Sequence, residues 1–235
     1  MPRAMCALRA FTLVDLLVSI AVVAVLLALF APALSGVREA TRRVVCSSNV
    51  RQIGLGLAMY QHMYTEHLPD SAYAAKITNP AGIPQAMMKL RITSFRDWDG
   101  LGHLYAGDFL DAPGVFYCPS HHGNFPSRQY AESWNSGVGQ IVGNYHYRGE
   151  RPPIVTTTDA ATRPGQALVA DGMASRLDFN HVTGCNVLRI DLSLHWYNDT
   201  DGSLLASLSP TLLPESLPDS GIPRAWQTLD GVGDR

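Results

Sequence analysis

The sequence predicts an α+β protein in which one long N-terminal α-helix packs on a small antiparallel β-sheet with long loops. Three observations predict it: an uncharged apolar run, a helical stripe of apolar residues after it, and short apolar runs between prolines and glycines beyond residue 65. The uncharged run, Leu16 to Leu34, has 19 residues. As a helix it would be about 28 Å long, close to the hydrocarbon thickness of a bilayer. The N-terminal half of the helix is therefore predicted to be transmembrane.

Composition narrows the class of protein. The chain has 235 residues, a formal net charge of −2 and only 16% charged residues. It contains no basic block interleaved with aromatic residues, so nucleic acid is not expected as a partner. The four cysteines form no CxxC pair, which disfavours a zinc knuckle.

The first residues admit two interpretations. Residues 1–10 carry Arg3 and Arg9 and no acid, so an ordinary secretory signal peptide is one alternative. Ala31-Pro32-Ala33 would be a poor cleavage site, however, because proline separates the two small residues. Asp15 fits that alternative badly as well, since a carboxylate at the start of an apolar helix is costly in lipid and tends to have a specific role.

The segment Phe11-Thr-Leu-Val-Asp15-Leu-Leu-Val-Ser-Ile20 resembles the signal of type IV prepilins and type II secretion pseudopilins. The resemblance implies that a prepilin peptidase cleaves between Ala10 and Phe11 and methylates the new amino group of Phe11. It also implies that Asp15 replaces the family's glutamate and pairs with a neighbouring subunit during assembly. Ala10 stands where the family has glycine.

Further segments resemble a bacterial group of pseudopilin-like proteins with a C-terminal H-x9-D-G motif. These segments are Arg38–Arg43, Cys46–Leu55, the Cys118-Pro-Ser sequence, and the pair His181 and Asp191. Leu192 replaces the motif's glycine. Because a tight turn there needs a positive φ, Leu192 argues against a tight hairpin.

The predicted organisation has five parts. Residues 1–10 are a leader peptide, 11–34 the transmembrane and assembly helix, and 35–64 its amphipathic continuation, with a stripe of Val50, Ile53, Leu57, Tyr60 and Tyr64. Residues 65–198 form a loop-rich β domain. Residues 199–235 are a tail rich in Pro, Ser and Leu, and its stretch from Ser203 to Pro223 is predicted to be extended or partly disordered.

The orientation in the membrane is left open by charge alone. The arginines that follow the apolar run favour a cytoplasmic C-terminal part, whereas Arg3 and Arg9 compete from the other side. The family's orientation, which we adopt, places the globular part in the periplasm and the anchor in the bacterial inner membrane.

The globular part contains three groups of residues that could form a site. Imidazole and carboxylate groups could bind a metal ion, and the candidates are His121, His122, His181, Asp191 and His195. No two of them have the spacing that would place both on one helix face, so no metal is expected. His181 and Asp191 are instead predicted to hold a hairpin together by hydrogen bonds. Asn198-Asp-Thr-Asp-Gly202 is similar to half of a calcium loop, but it is also typical of a plain turn. Ser120 and His121 are adjacent without a nucleophile elbow, so no enzyme is expected.

The resemblance also implies a disulfide between Cys46 and Cys118, which match cysteines of the group in an oxidising compartment. Cys185 would then be a free, buried thiol. The predicted function is structural: a processed, membrane-anchored subunit that assembles with other pseudopilin subunits into a secretion pseudopilus or similar fibre. The alternative is a membrane-tethered periplasmic binding module that uses the same signal and does not polymerise.

Overall fold

The computed structural model describes residues 13–65, 67–71, 88–93, 98–149, 165–212 and 221–231. Its architecture is α+β, which confirms the predicted fold class. The helices are α1 (Leu13–Met63), α2 (Gly102–Ala106), α3 (Ala131–Ser136), α4 (Ser203–Ser207) and α5 (Gly221–Asp230). The strands are β1 (Lys89–Arg91), β2 (Ile141–Val142), β3 (Tyr145–Tyr147), β4 (Ala167–Asp171), β5 (Gly184–Arg189) and β6 (Leu194–Asn198).

The chain divides into two compact units, Met1–Thr41 and Arg42–Arg235. The described part of the first unit is the N-terminal portion of α1. Every residue from Leu13 to Phe30 is exposed. Polar side chains in this portion bond to their own helix, as the Ser19 hydroxyl does to the Leu16 carbonyl at 2.7 Å.

The second unit is built around the C-terminal portion of α1. Cys46, Val50, Ile53 and Leu57 are all 0% exposed. Their 4-3-4 spacing places them on one face of the helix, so the predicted stripe is a core face as far as Leu57. Beyond it, Tyr60 is half-buried and Tyr64 is 48% exposed. Gly54 allows close approach here, because a Cβ at that position would lie 3.0 Å from the Leu188 side chain on β5.

The main sheet has four antiparallel strands in the order β3-β4-β5-β6, and β1 and β2 form a separate antiparallel pair. Tyr145 on β3 is paired with Asp171 at the end of β4. β5 is fully buried, whereas β6 is half-exposed. The sheet therefore places the end of β4 and the start of β5 inside the protein.

Two hydrophobic clusters fill the second unit. The first includes the stripe of α1 together with Phe116, Tyr145, Leu168, Val169 and Leu188. The second includes Ala170, Cys185 and Val187 with residues of the last two helices. Because successive strand residues face opposite sides, β4 and β5 contribute to both clusters, and the sheet is covered on both faces.

The prediction of an extended or partly disordered stretch from Ser203 to Pro223 is wrong for residues that the structure describes there, because helices cover Ser203–Ser207 and begin again at Gly221. α4 and α5 pack against the sheet, with Leu204, Ile222, Trp226 and Leu229 each at most 4% exposed. Ile222, Ala225, Trp226 and Leu229 follow helical spacing and form an apolar face. The amino-acid composition averaged over the whole tail, which is rich in Leu, Ser and Pro, does not show this short apolar face.

The expectation against a tight hairpin at Leu192 is also wrong. The β5–β6 connection closes with a hydrogen bond from the Arg189 amide to the Ser193 carbonyl at 2.9 Å. Leu192 adopts φ 64°, the left-handed conformation that favours glycine. The strand pairing on both sides therefore outweighs the local cost at Leu192.

Candidate functional site

The apolar portion of α1 is the first candidate functional region. Leu13–Phe30 is 18 residues long, apolar enough to cross a membrane, and not buried within the chain. A signal sequence near the N-terminus would satisfy the same criteria. The segment is thus compatible with a single-pass anchor.

Asp15 lies in the first turn of α1. Its side chain is exposed. A carboxylate is favourable at a helix N-terminus, where the helix dipole is positive. Ala10 and Phe11, the predicted cleavage pair, lie outside the described residues.

The second candidate is a buried group that we name the Cys–Asp–His cluster: Cys46, Cys118, Asp171 and His181. One side-chain ligand atom from each lies within 4.8 Å of the other three. The Cys46 Sγ lies 3.0 Å from Asp171 Oδ1, and the Cys118 Sγ lies 3.5 Å from His181 Nε2. His181 Nε2 is 3.9 Å from Asp171 Oδ2.

Four separate segments supply these side chains. Cys46 is on α1, and Cys118 follows the short 3-10 helix Pro113–Phe116. Asp171 is the last residue of β4, and His181 forms an isolated bridge to Gly184 at the start of β5. The cluster therefore lies where α1 meets the central strands of the sheet.

Asp171 is held by several donors. Its Oδ2 accepts hydrogen bonds from the Asn186 amide at 2.6 Å and from Asn186 Nδ2 at 3.1 Å. Its Oδ1 accepts the Cys46 thiol and, at 3.5 Å, Asn180 Nδ2. These contacts fix the carboxylate, which is 0% exposed, in one orientation.

The two thiols differ in their electrostatics. Burial raises the pKa of the Cys46 thiol well above its ordinary value, and the neighbouring Cys118 and Asp171 raise it further. Burial also opposes ionisation of Cys118, but hydrogen bonds with Cys46 and His181 outweigh it and leave the pKa of the Cys118 thiol lowered. Cys118 is therefore the more easily ionised of the pair.

The structure brings Cys46 and Cys118 together and holds both as free thiols. A disulfide between them stays a prediction. Cys185 is also a free thiol and is 0% exposed. It lies outside the cluster, and its side chain belongs to the second hydrophobic cluster.

Of the five residues that the sequence offered for a metal site, only His181 belongs to the Cys–Asp–His cluster. His181 and Asp191 lie beyond opposite ends of β5, and Asp191 is an exposed turn residue that accepts the Ser193 amide at 2.9 Å. His195 is exposed on β6. His121 bonds to Asn180 at 2.8 Å, and His122 to the Ser120 carbonyl at 3.1 Å.

The segment considered for calcium forms a helix start. Asp199 accepts the backbone amides of Leu204 and Leu205 at 3.0 and 2.9 Å, and Asp201 accepts that of Ser203 at 3.1 Å. Carboxylates at this position satisfy amides that have no partner inside the helix. Both oxygens of Asp199 thus stabilise α4.

Sequence reasoning did not assemble the Cys–Asp–His cluster. It paired Cys46 with Cys118, placed His181 in a different pair, and missed Asp171. The available signal was a buried strand, Gln166 to Asp171, that ends in a carboxylate. A charged residue at the end of an apolar strand is rarely buried without partners.

A long helix with an exposed apolar portion, followed by a small α+β domain, is compatible with a membrane-anchored, pilin-like protein. Residues 35–178, more than half of the chain, match the model of a family described as "Protein of unknown function (DUF1559)", and the chain belongs to this family. The family is typical of bacterial pilin-like proteins with an N-terminal apolar helix. No curated protein and no solved structure matches the chain.

Proposed function

We propose that this protein is a pseudopilin-like structural subunit, anchored in the inner membrane by Leu13–Phe30 and processed between Ala10 and Phe11. The observation that carries the proposal is the burial pattern of α1. Its N-terminal portion is apolar except for Asp15 and Ser19 and is not buried within the chain, whereas one face of its C-terminal portion lies in the core of the globular part.

The exposed apolar surface of α1 calls for partners outside the chain. Leu13, Leu17, Ile20, Leu27 and Phe30 are 79%, 57%, 60%, 65% and 60% exposed. Soluble monomers rarely present a contiguous apolar patch of this size. Lipid and the corresponding helices of other subunits are the partners that an all-round apolar helix fits.

Asp15 would provide the specific contact in assembly. A carboxylate within lipid costs several kcal/mol unless it is paired. A neighbouring subunit's Phe11 amino group, freed by prepilin peptidase, would pair with it. In this arrangement the globular part is periplasmic, and the protein has neither a catalytic role nor a nucleic-acid partner.

Processing is tested by N-terminal and intact-mass analysis of the protein purified from a host that contains a prepilin peptidase. The expected chain begins at methylated Phe11. A chain that begins beyond Phe30 would show that the apolar segment is a cleaved signal peptide. A chain that begins at Met1 would show an unprocessed signal anchor and contradict the processing step.

Assembly is tested by Asp15→Ala, with Asp15→Glu and Ser19→Ala as controls in the same turns of α1. We expect Asp15→Ala to remain in the membrane fraction but to lose subunit–subunit crosslinks. Asp15→Glu, which keeps the charge, and Ser19→Ala should crosslink like the wild type. If Asp15→Ala crosslinks as well as the wild type, assembly through Asp15 is refuted and the tethered binding module becomes the better proposal.

A further inference from the structure

The Cys–Asp–His cluster has the donor set of a metal site. Two sulfur atoms, one imidazole nitrogen and one carboxylate oxygen converge on one point. Thiolate, imidazole and carboxylate are the ligands that Zn²⁺ takes in proteins, most often four at a time in a tetrahedron.

The spacing of the donors fits a single ion. Zinc lies about 2.0–2.3 Å from its nitrogen, oxygen and sulfur ligands, so ligands at tetrahedral corners are about 3.3–3.8 Å apart. Cys118 Sγ and His181 Nε2, 3.5 Å apart, fall within this range, whereas Cys46 Sγ lies 3.0 Å from Asp171 Oδ1 and His181 Nε2 lies 3.9 Å from the other oxygen, Oδ2, just outside it. Since all four ligand atoms lie within 4.8 Å of one another, only small side-chain movements are needed.

The four side chains of the cluster are almost completely shielded from solvent. Cys46 and Asp171 are 0% exposed, His181 is 1% and Cys118 is 5%. Buried anionic groups are costly without a compensating charge, which a divalent cation supplies. Four protein ligands without solvent access are typical of structural sites, whereas catalytic sites keep an open position.

The groups behind the ligands are arranged as in metal sites. The Asn186 amide and side chain hold Asp171 Oδ2, which leaves Oδ1 directed at Cys46. The Tyr145 hydroxyl lies 3.4 Å from the Cys46 sulfur. Such supporting hydrogen bonds orient ligands and tune metal affinity.

We propose that Cys46, Cys118, Asp171 and His181 bind one divalent cation of the Zn²⁺ type and that this ion fastens α1 to the sheet. Two sulfur ligands and an imidazole select zinc over the hard cations calcium and magnesium. The site would act within the globular part and does not depend on processing or assembly of the anchor.

The first experiment measures metal content. The full chain is purified in detergent without a histidine tag, and metals are quantified by mass spectrometry. We expect one zinc per chain in the wild type and in Cys185→Ser, a control that removes a buried thiol outside the cluster. Cys118→Ser and His181→Gln should hold zinc at least about tenfold more weakly, while His195→Gln should match the wild type.

The second experiment needs no variant, so misfolding cannot mimic its result. The reduced, metal-free wild type is titrated with Co²⁺ and then with Zn²⁺. A sulfur-to-cobalt charge-transfer band that zinc abolishes supports thiolate ligation. If neither ion binds, or if unreduced protein yields a linked Cys46–Cys118 peptide, the metal site is refuted in favour of a hydrogen-bonded network or a disulfide.

Discussion

The two portions of α1 differ in where their partners lie. From Leu13 to Phe30 the helix is apolar except for Asp15 and Ser19, and none of it is buried. From Cys46 to Leu57 the apolar residues follow one face, and that face is fully buried. The two portions of this helix therefore differ in the width of their apolar surface. An apolar surface all round the helix indicates partners outside the chain, whereas a single apolar face indicates packing within it.

The largest expected effect comes from truncating the buried face. Leu57→Ala should lower the free energy of unfolding by about 2–5 kcal/mol, because it leaves a cavity in the core. Leu55→Ala is the matched control: Leu55 is on the same helix and 62% exposed, so a change within about 0.5 kcal/mol is expected. Urea unfolding followed by tryptophan fluorescence measures both, and equal losses would contradict the assignment of the two faces.

A charge in the apolar portion should act on the membrane instead of the fold. Val22→Arg places a cation near the centre of the segment, at a cost of about 2.5–3.5 kcal/mol for insertion. Membrane fractionation should show less Val22→Arg in the membrane, while Val22→Ala fractionates normally. Both variants should keep the wild-type urea midpoint. A shift of that midpoint would mean that the two portions of α1 are not independent.

A smaller loss of stability is expected when the contact between α1 and the edge strand β6 is removed. The Arg43 guanidinium carbon lies 3.6 Å from the centre of the Trp196 ring on β6. Arg43→Ala should therefore reduce stability by about 0.5–1 kcal/mol. Arg42→Ala removes the same charge from an exposed neighbouring position and should change stability little. If both variants lose the same amount in urea unfolding, net charge and not the Trp196 contact is responsible.

The smallest effect concerns a turn that does not involve α1. Leu192→Gly should raise stability by about 0.5 kcal/mol, because relief of the left-handed conformation exceeds the added entropy of the unfolded chain. Asp191→Gly, at the adjacent position without a positive φ, should instead be destabilising. Thermal unfolding compares the two, and a loss of stability in Leu192→Gly would show that its side-chain packing outweighs the strain.

Local patterns in the sequence were sufficient for the fold class. The stripe through Val50, Ile53 and Leu57 predicted the helix and its buried face, because side chains three and four positions apart meet on one side. The same periodicity in Ile222, Ala225, Trp226 and Leu229 covers only one short helix, and the surrounding proline-rich composition favours an extended chain instead. The prediction from Leu192 was wrong because it considered only the turn. Pairing along β5 and β6 compensates for an unfavourable turn residue.

The Cys–Asp–His cluster could not be predicted in the same way. Its members come from α1, a loop, β4 and the approach to β5, so only tertiary packing brings them together. The spacing of His181 and Asp191 suggested a pair, yet a strand separates them. Asp171 carried no motif at all, and its role follows from burial and from its contacts with Cys46 and Asn186.

The position of Cys46 has a mechanical consequence. Among the α1 side chains whose burial is described, Cys46 is the buried residue nearest the N-terminus. Tension applied through the N-terminal portion of α1 would meet the Arg43–Trp196 contact first and then, at Cys46, the first residue of the buried face, so separation of that face would begin at Cys46. A coordinate bond or a disulfide at that position would make the joint resist pulling far more than apolar contacts alone, which are broken one turn at a time.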